Sequence, residues 1–149
     1  MSSRNAAGHV LVVEDHPPTA KLVSTAFDEV DSSISTQIVR DGSECLDVLR
    51  GADDSIADPD LVLLDLALLY VDGFTVLKTR TEDAALRHTP VIVLSDSDDP
   101  ETVLRCYEYG ANTFIPKPDD FDGFLSIAED VVDYWSSTAE LPETFESGA

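Results

Sequence analysis

The sequence is short of basic residues, of cysteine and of long apolar runs. Only nine Lys and Arg stand against thirty Asp and Glu, a formal net charge of −21. Such a chain repels phosphate backbones and anionic membrane surfaces, which argues against direct nucleic-acid or membrane binding. The two cysteines, Cys45 and Cys106, lie far apart, in no CxxC pair and beside no histidine cluster. They are expected to be reduced and inside the fold, with neither a disulfide nor a thiolate metal site. No apolar run approaches the ~20 residues that cross a bilayer. The first ten residues, MSSRNAAGHV, carry no signal-like apolar core, so the expected location is cytoplasmic.

What is present points to one globular domain. A chain of 149 residues with 43% hydrophobic content can bury a single core. The acids are spread along the chain rather than gathered in a tail. A distributed excess suits a surface adapted to high salt, where screening removes self-repulsion; an ordinary acidic protein is the plainer alternative.

Short apolar runs alternate with amphipathic stretches. Strand patterns fall at 9–15, 33–39, 60–65, 90–95 and 112–117. Helical patterns follow each of them, at 17–30, 41–51, 72–87, 99–110 and 120–135. Pro17 and Pro18 suit a helix start, Asp98 or Asp99 a cap for the fourth helix, and Gly110 the position just past its end. Five strand–helix units in strict alternation imply an α/β fold with a doubly wound parallel sheet and helices on both faces. The expected domain is 9–137, between an N-terminal tail at 1–8 and a polar tail at 138–149 that leaves no room for a second domain.

In such sheets ligands bind beyond the carboxyl ends of the strands, where strand order reverses. The first strand ends in Glu14–Asp15, the third in Asp65, the fourth in Ser95 and the fifth in Lys117. Carboxylates gathered at one mouth repel each other and invite a hard divalent cation such as Mg²⁺. An ionised Asp65 is then a nucleophile for a phosphoryl group, with Lys117 and the Ser95 hydroxyl placed to receive its oxygens. Plainer readings stand beside this one. Glu14–Asp15 also suits a helix entry, Asp65 a strand-end cap, Ser95 a backbone partner, and Lys117 a solvated strand end. His16, next to the acid pair, reads as a loop residue rather than a metal ligand.

These residues also carry a resemblance. VVEDHP at 12–17, DLVLLD at 60–65, VDG at 71–73, TPVIVLS at 89–95 and GANTFIPKP at 110–118 together resemble the response-regulator receiver domain of two-component signalling. The resemblance implies a flavodoxin-like sheet of order 2-1-3-4-5. It implies Asp65 as phosphoacceptor, Asp15 as direct metal ligand, Glu14 acting through water, and the backbone carbonyl of Ala67 as a further ligand. Ser95 takes the part of the switch hydroxyl, Phe114 of the switch aromatic (static core is its plainer reading), and Lys117 of the phosphate-binding lysine. A cis Lys117–Pro118 peptide is implied as well.

Residues 106–142 resemble regulators that partner phytochrome-like histidine kinases, through Tyr134–Trp135 and the following Leu141–Pro142. Members of that subgroup are single-domain and tend to dimerise, here through the fourth and fifth helices and the C-terminal segment. Tyr134 and Trp135 suit the core and a subunit contact equally.

Two positions depart from the family: Leu69 where proline is common, and Asp96 where a small residue follows the switch hydroxyl. Asp96 puts the phosphorylation rate in doubt and keeps open a pseudo-receiver that no longer turns over phosphate. A phosphatase of the haloacid-dehalogenase type would need an acid two residues after Asp65, where Ala67 stands.

Overall fold

The computed structural model describes residues 8–68 and 71–137; of 134–137 it describes the backbone alone. Its elements run in order β1 (His9–Val13), α1 (Pro17–Val30), β2 (Ser35–Val39), α2 (Gly42–Leu49), β3 (Leu61–Asp65), α3 (Gly73–Glu82), β4 (Val91–Ser95), α4 (Pro100–Glu108), β5 (Thr113–Pro116) and α5 (Phe121–Ser137). Every strand pairing is parallel, and the sheet order is β2-β1-β3-β4-β5. The chain winds outward to β2, then crosses back past β1 to β3 and continues to β5. The crevice between β1 and β3 is therefore the reversal point.

Alternate strand residues feed two cores. Leu11, Val13, Val62, Leu64, Val91 and Val93 face α2, α3 and α4, where Cys45, Val76, Leu77 and Cys106 meet them. Val10, Val12, Leu61, Leu63 and Leu94 face α1 and α5, against Val23, Phe27, Phe124 and Ala128. This is why the central strands read as unbroken apolar runs: both faces are covered. Each fully buried Val or Leu contributes about 1.5–3 kcal/mol. β2 lies at the edge, and Ile38 there is 37% exposed despite its place in the strand pattern.

Acidic side chains start several helices. Asp41, Asp72 and Asp99 accept the backbone N–H groups of Glu44, Thr75 and Thr102. α1 begins instead at His16, with proline in its first turn and no side-chain cap. α4 ends as expected, with Gly110 at φ +97° just past its cap.

Several boundaries differ from the sequence expectation. The third helix stops at Glu82 rather than 87, because Asp83 turns extended (φ −110°) and its carboxylate accepts the Ala85 N–H at 3.0 Å. Thr81, near the end of the helix, is exposed and donates its hydroxyl to the Tyr109 carbonyl at 2.7 Å. The first strand stops at Val13, so Glu14 and Asp15 lie just beyond it. The described peptide bonds are all trans, Lys117–Pro118 included, the lower-energy isomer of an X–Pro bond.

Arg80, on the inner face of α3, is buried. Its guanidinium donates to the carbonyls of Thr89, Gly110 and Arg87 and to Asn112 Oδ1, at 2.9–3.3 Å. It ties α3 to the start of β4 and to the turn before β5. Arg105 on α4 stacks over the Phe74 ring at 4.2 Å and closes the upper α3–α4 contact.

Candidate functional site

The site is assembled by strand ends. The Glu14 N–H donates to the Val39 carbonyl at 3.0 Å, which continues the sheet one residue past β1 and turns the Glu14 side chain inward. Asp65 is the last residue of β3 and is 5% exposed; Ser95 is the last of β4 and is also buried. The Lys117 N–H donates to the Ser95 carbonyl at 2.8 Å, so the chain leaving β5 stays tied to the end of β4. From there the Lys117 side chain, 11% exposed, crosses the rim. Its Nζ lies 2.9 Å from Glu14 Oε1 and 3.5 Å from Asp65 Oδ1.

Glu14, Asp15 and Asp65 present carboxylate oxygens within 4.8 Å of one another. All the predicted strand-end residues thus meet at one rim, with Ser95 beside them.

The electrostatics show a surplus of negative charge. Burial pushes the Glu14 carboxyl above its ordinary value; the Lys117 hydrogen bond opposes this, and the Asp65 charge adds to it. Burial alone would depress the Lys117 ammonium. The Glu14 hydrogen bond and the charges of Asp65, Glu14 and Asp96 outweigh it and raise its pKa. Three acids facing one ammonium form a hard, all-oxygen, net negative donor set. That set fits Mg²⁺ or Mn²⁺, which take a few carboxylates and keep several waters.

Supporting contacts hold the site residues in place. The Ala67 N–H donates to Asp65 Oδ1 at 3.2 Å. Gly73 passes directly beneath this loop: a Cβ there would lie 2.9 Å from the Asp65 carbonyl and 2.7 Å from Leu66 Cα. This close approach is the physical reason for glycine in the VDG motif. Ser95 Oγ accepts the Ser97 N–H at 3.1 Å. His16 donates its N–H to Glu14 Oε2 at 3.2 Å, while its ring Nδ1 pairs with Thr19 Oγ1 at 2.7 Å, outside the acid cluster.

Phe114 is half-buried against the core on the α4 side, and its N–H donates to the Tyr107 hydroxyl at 3.1 Å. Ser97 and Tyr107 were not singled out from sequence; a hydroxyl two residues past Ser95, and one seven residues before Phe114, carry no distinctive signal. Leu69 and the Leu141–Pro142 pair lie outside the described residues, as do the side chains of Tyr134 and Trp135.

A five-stranded parallel sheet of order 2-1-3-4-5, with acids, a hydroxyl and a lysine at its reversal point, defines a receiver. The chain belongs to that family: the response regulator receiver domain matches residues 10–129. Among individual proteins, it is 35% identical over 129 residues to "Probable methanogenesis regulatory protein FilR2" of Methanothrix harundinacea (strain 6Ac), covering 85% of this chain and 82% of that one. It is 28% identical over 135 residues to response regulator Rcp1 of Synechocystis sp., covering 89% and 92%; a Mn²⁺-bound structure of Rcp1 superposes with a TM-score of 0.79. The phosphorylated cyanobacterial phytochrome response regulator RcpA superposes with a TM-score of 0.84 at 31% identity, covering 92% of this chain and 99% of that one.

Proposed function

We propose that the chain is a single-domain response regulator that takes a phosphoryl group from a histidine kinase onto Asp65 and signals through protein–protein contacts. The observation that carries this reading is the Lys117 ammonium, 2.9 Å from Glu14 and 3.5 Å from Asp65 at the rim where strand order reverses. An Asp65 carboxylate oxygen attacks the phosphorus of a phosphohistidine. The P–N bond breaks, and the imidazole nitrogen leaves with the bonding pair. Lys117 Nζ and the Ser95 hydroxyl donate to the transferred oxygens. Mg²⁺, held by Asp15, Asp65, the Ala67 carbonyl and Glu14 through water, would offset the charge of the carboxylates and the incoming group. The same groups serve later hydrolysis of the acyl phosphate, so the chain acts as a self-catalysing phosphoacceptor rather than as an enzyme on a separate substrate.

The new dianion draws Ser95 inward, and Phe114 follows. The face of α4, β5 and α5 then changes. Leu104 (57% exposed) and Tyr107 (47%) already offer apolar surface there, suited to a kinase or, with α5 and the C-terminal segment, to a second copy of this chain. The working domain is 9–137, flanked by tails at 1–8 and 138–149. A single-domain design is supported by the match to Rcp1, which spans 92% of that protein. Likeness to the phytochrome regulator RcpA supports a phytochrome-like kinase as partner. The net charge of −21 supports work in a salty cytosol without direct nucleic-acid contact.

The test is incubation with phosphoramidate and Mg²⁺, followed by intact mass and size-exclusion measurements. Wild type is expected to gain one phosphoryl group and to change its elution, whereas Asp65→Asn gains none. An unlabelled wild type, or a labelled Asp65→Asn, overturns the assignment.

A further inference from the structure

We infer that Asp96 selects the phosphodonor by charge: standing at the mouth of the site, its carboxylate disfavours small dianionic donors relative to donors carrying less negative charge. The inference rests on the reading of Asp65 as phosphoacceptor.

Backbone geometry puts Asp96 at the carboxyl end of β4, one residue past Ser95. Asp65 pairs with Leu94 in the β3–β4 register, so Ser95 stands one step beyond the nucleophile and Asp96 two. The turn there is closed twice. The Ser97 N–H binds Ser95 Oγ at 3.1 Å, and the Lys117 N–H binds the Ser95 carbonyl, part of the very peptide that leads into Asp96, at 2.8 Å. Ser95 is buried at the end of β4, while the next residue, Asp96, is exposed. Its charge is felt at the Lys117 ammonium, whose pKa it helps to raise.

Charge decides the consequence. Glu14, Asp15, Asp65 and Asp96 face one ammonium, so the mouth stays negative even after a divalent cation binds. Among the described residues the salt bridges belong to Glu14 and Asp65, and no salt bridge offsets Asp96. A small dianion must approach past this uncompensated charge. A phosphohistidine on a partner protein escapes the penalty when the docking surface brings its own cations, so at low ionic strength the arrangement favours a kinase over free phosphodonors.

Two small donors separate charge from size. Acetyl phosphate is a dianion near neutral pH, and phosphoramidate, of similar size, is a monoanion. Asp96→Asn keeps the side-chain shape and removes the charge; Asp96→Ala removes both. Initial phosphorylation rates are read by intact mass for wild type and both variants, with each donor, at fixed Mg²⁺.

In Asp96→Asn the rate with acetyl phosphate relative to phosphoramidate is expected to rise on the order of three- to tenfold at ~0.1 M KCl, and to approach the wild-type ratio at ~1 M, where screening acts over ~3 Å. Asp96→Ala is expected to shift the ratio equally. An unchanged ratio in Asp96→Asn, or a shift confined to Asp96→Ala, overturns the inference while leaving the phosphoacceptor reading intact. A wild type that neither donor labels sinks both.

Discussion

Replacing Lys117 with methionine removes the ammonium that pairs with Glu14 and Asp65 while keeping most of its volume. Two nearly buried carboxylates then lose their partner, and breaking such a pair costs about 3–5 kcal/mol if both acids stay charged. Protonation offers a cheaper way out. Binding a proton at pH 7 to a carboxyl with the ordinary value of 4.5 costs about 3.4 kcal/mol, at 1.36 kcal/mol per unit, which caps the loss from that group. At pH 5 the same step costs only about 0.7 kcal/mol.

The sign follows from linkage. A carboxyl whose folded pKa is raised stabilises the fold fully below its unfolded pKa and loses that contribution as pH rises through the folded pKa. Glu14 is already raised, and Lys117→Met raises it further. The gap between wild type and variant is therefore expected to be about 3 kcal/mol at pH 7 and about 1 kcal/mol at pH 5. Urea unfolding followed by circular dichroism, at fixed salt with EDTA, measures it. Adding Mg²⁺ at pH 7 is expected to narrow the gap, since a cation takes over the neutralising part. A gap that does not change between pH 5 and 7 would refute the reasoning and make Lys117 a packing residue.

Arg80→Met leaves the carbonyls of Thr89, Gly110 and Arg87 without their donor. They are only partly enclosed, so the expected loss is about 2 kcal/mol, read as a lower urea midpoint at unchanged m-value; a neutral or stabilising result would mean that burying the guanidinium costs as much as its bonds return. Tyr107→Phe removes the acceptor for the Phe114 N–H on the β5 edge. Water replaces that bond, so stability should fall by less than about 1 kcal/mol while amide exchange at Phe114 speeds up, and unchanged exchange would show that the hydroxyl does not hold the edge.

Much of the fold was legible because the central strands are buried on both faces and the helices between them start with identifiable signals. Prolines open the first helix, Asp99 caps the fourth, and Gly110 stops it. The errors fall where local chemistry competes with periodicity. Leu86 sits at helical spacing and is buried, yet it packs from a turn, because the Asp83 carboxylate offers the Ala85 N–H an alternative to the helix. Arg80 follows Val76 and Leu77 on the inner face of α3, a place where an arginine is expected to reach for water; only the tertiary fold reveals the carbonyls that hold it inside. The site's members could be named from their places at strand ends. Their distances could not, since Lys117 and Glu14 lie 103 residues apart and meet only through the strand order.

The acidity itself is uninformative until it is placed. Asp41, Asp72 and Asp99 hold helix starts, Asp31 and Asp53 close turns through Ser33 and Ser55, and Asp60 accepts the His9 N–H. Among the described residues only Glu14, Asp15 and Asp65 bring carboxylate oxygens within 4.8 Å of one another, at the ends of the neighbouring strands β1 and β3. Three of the nine cations have defined partners: Arg80 is engaged by carbonyls, Arg105 by aromatic faces, and both described salt bridges belong to Lys117. The fold therefore leans on its two cores and its caps rather than on surface ion pairs. Among the described residues salt has few exposed pairs to weaken, and it has a large self-repulsion to screen. The same screening leaves the buried Lys117–Glu14–Asp65 contact nearly untouched, so a highly acidic surface and a charge-dependent site coexist in one small domain.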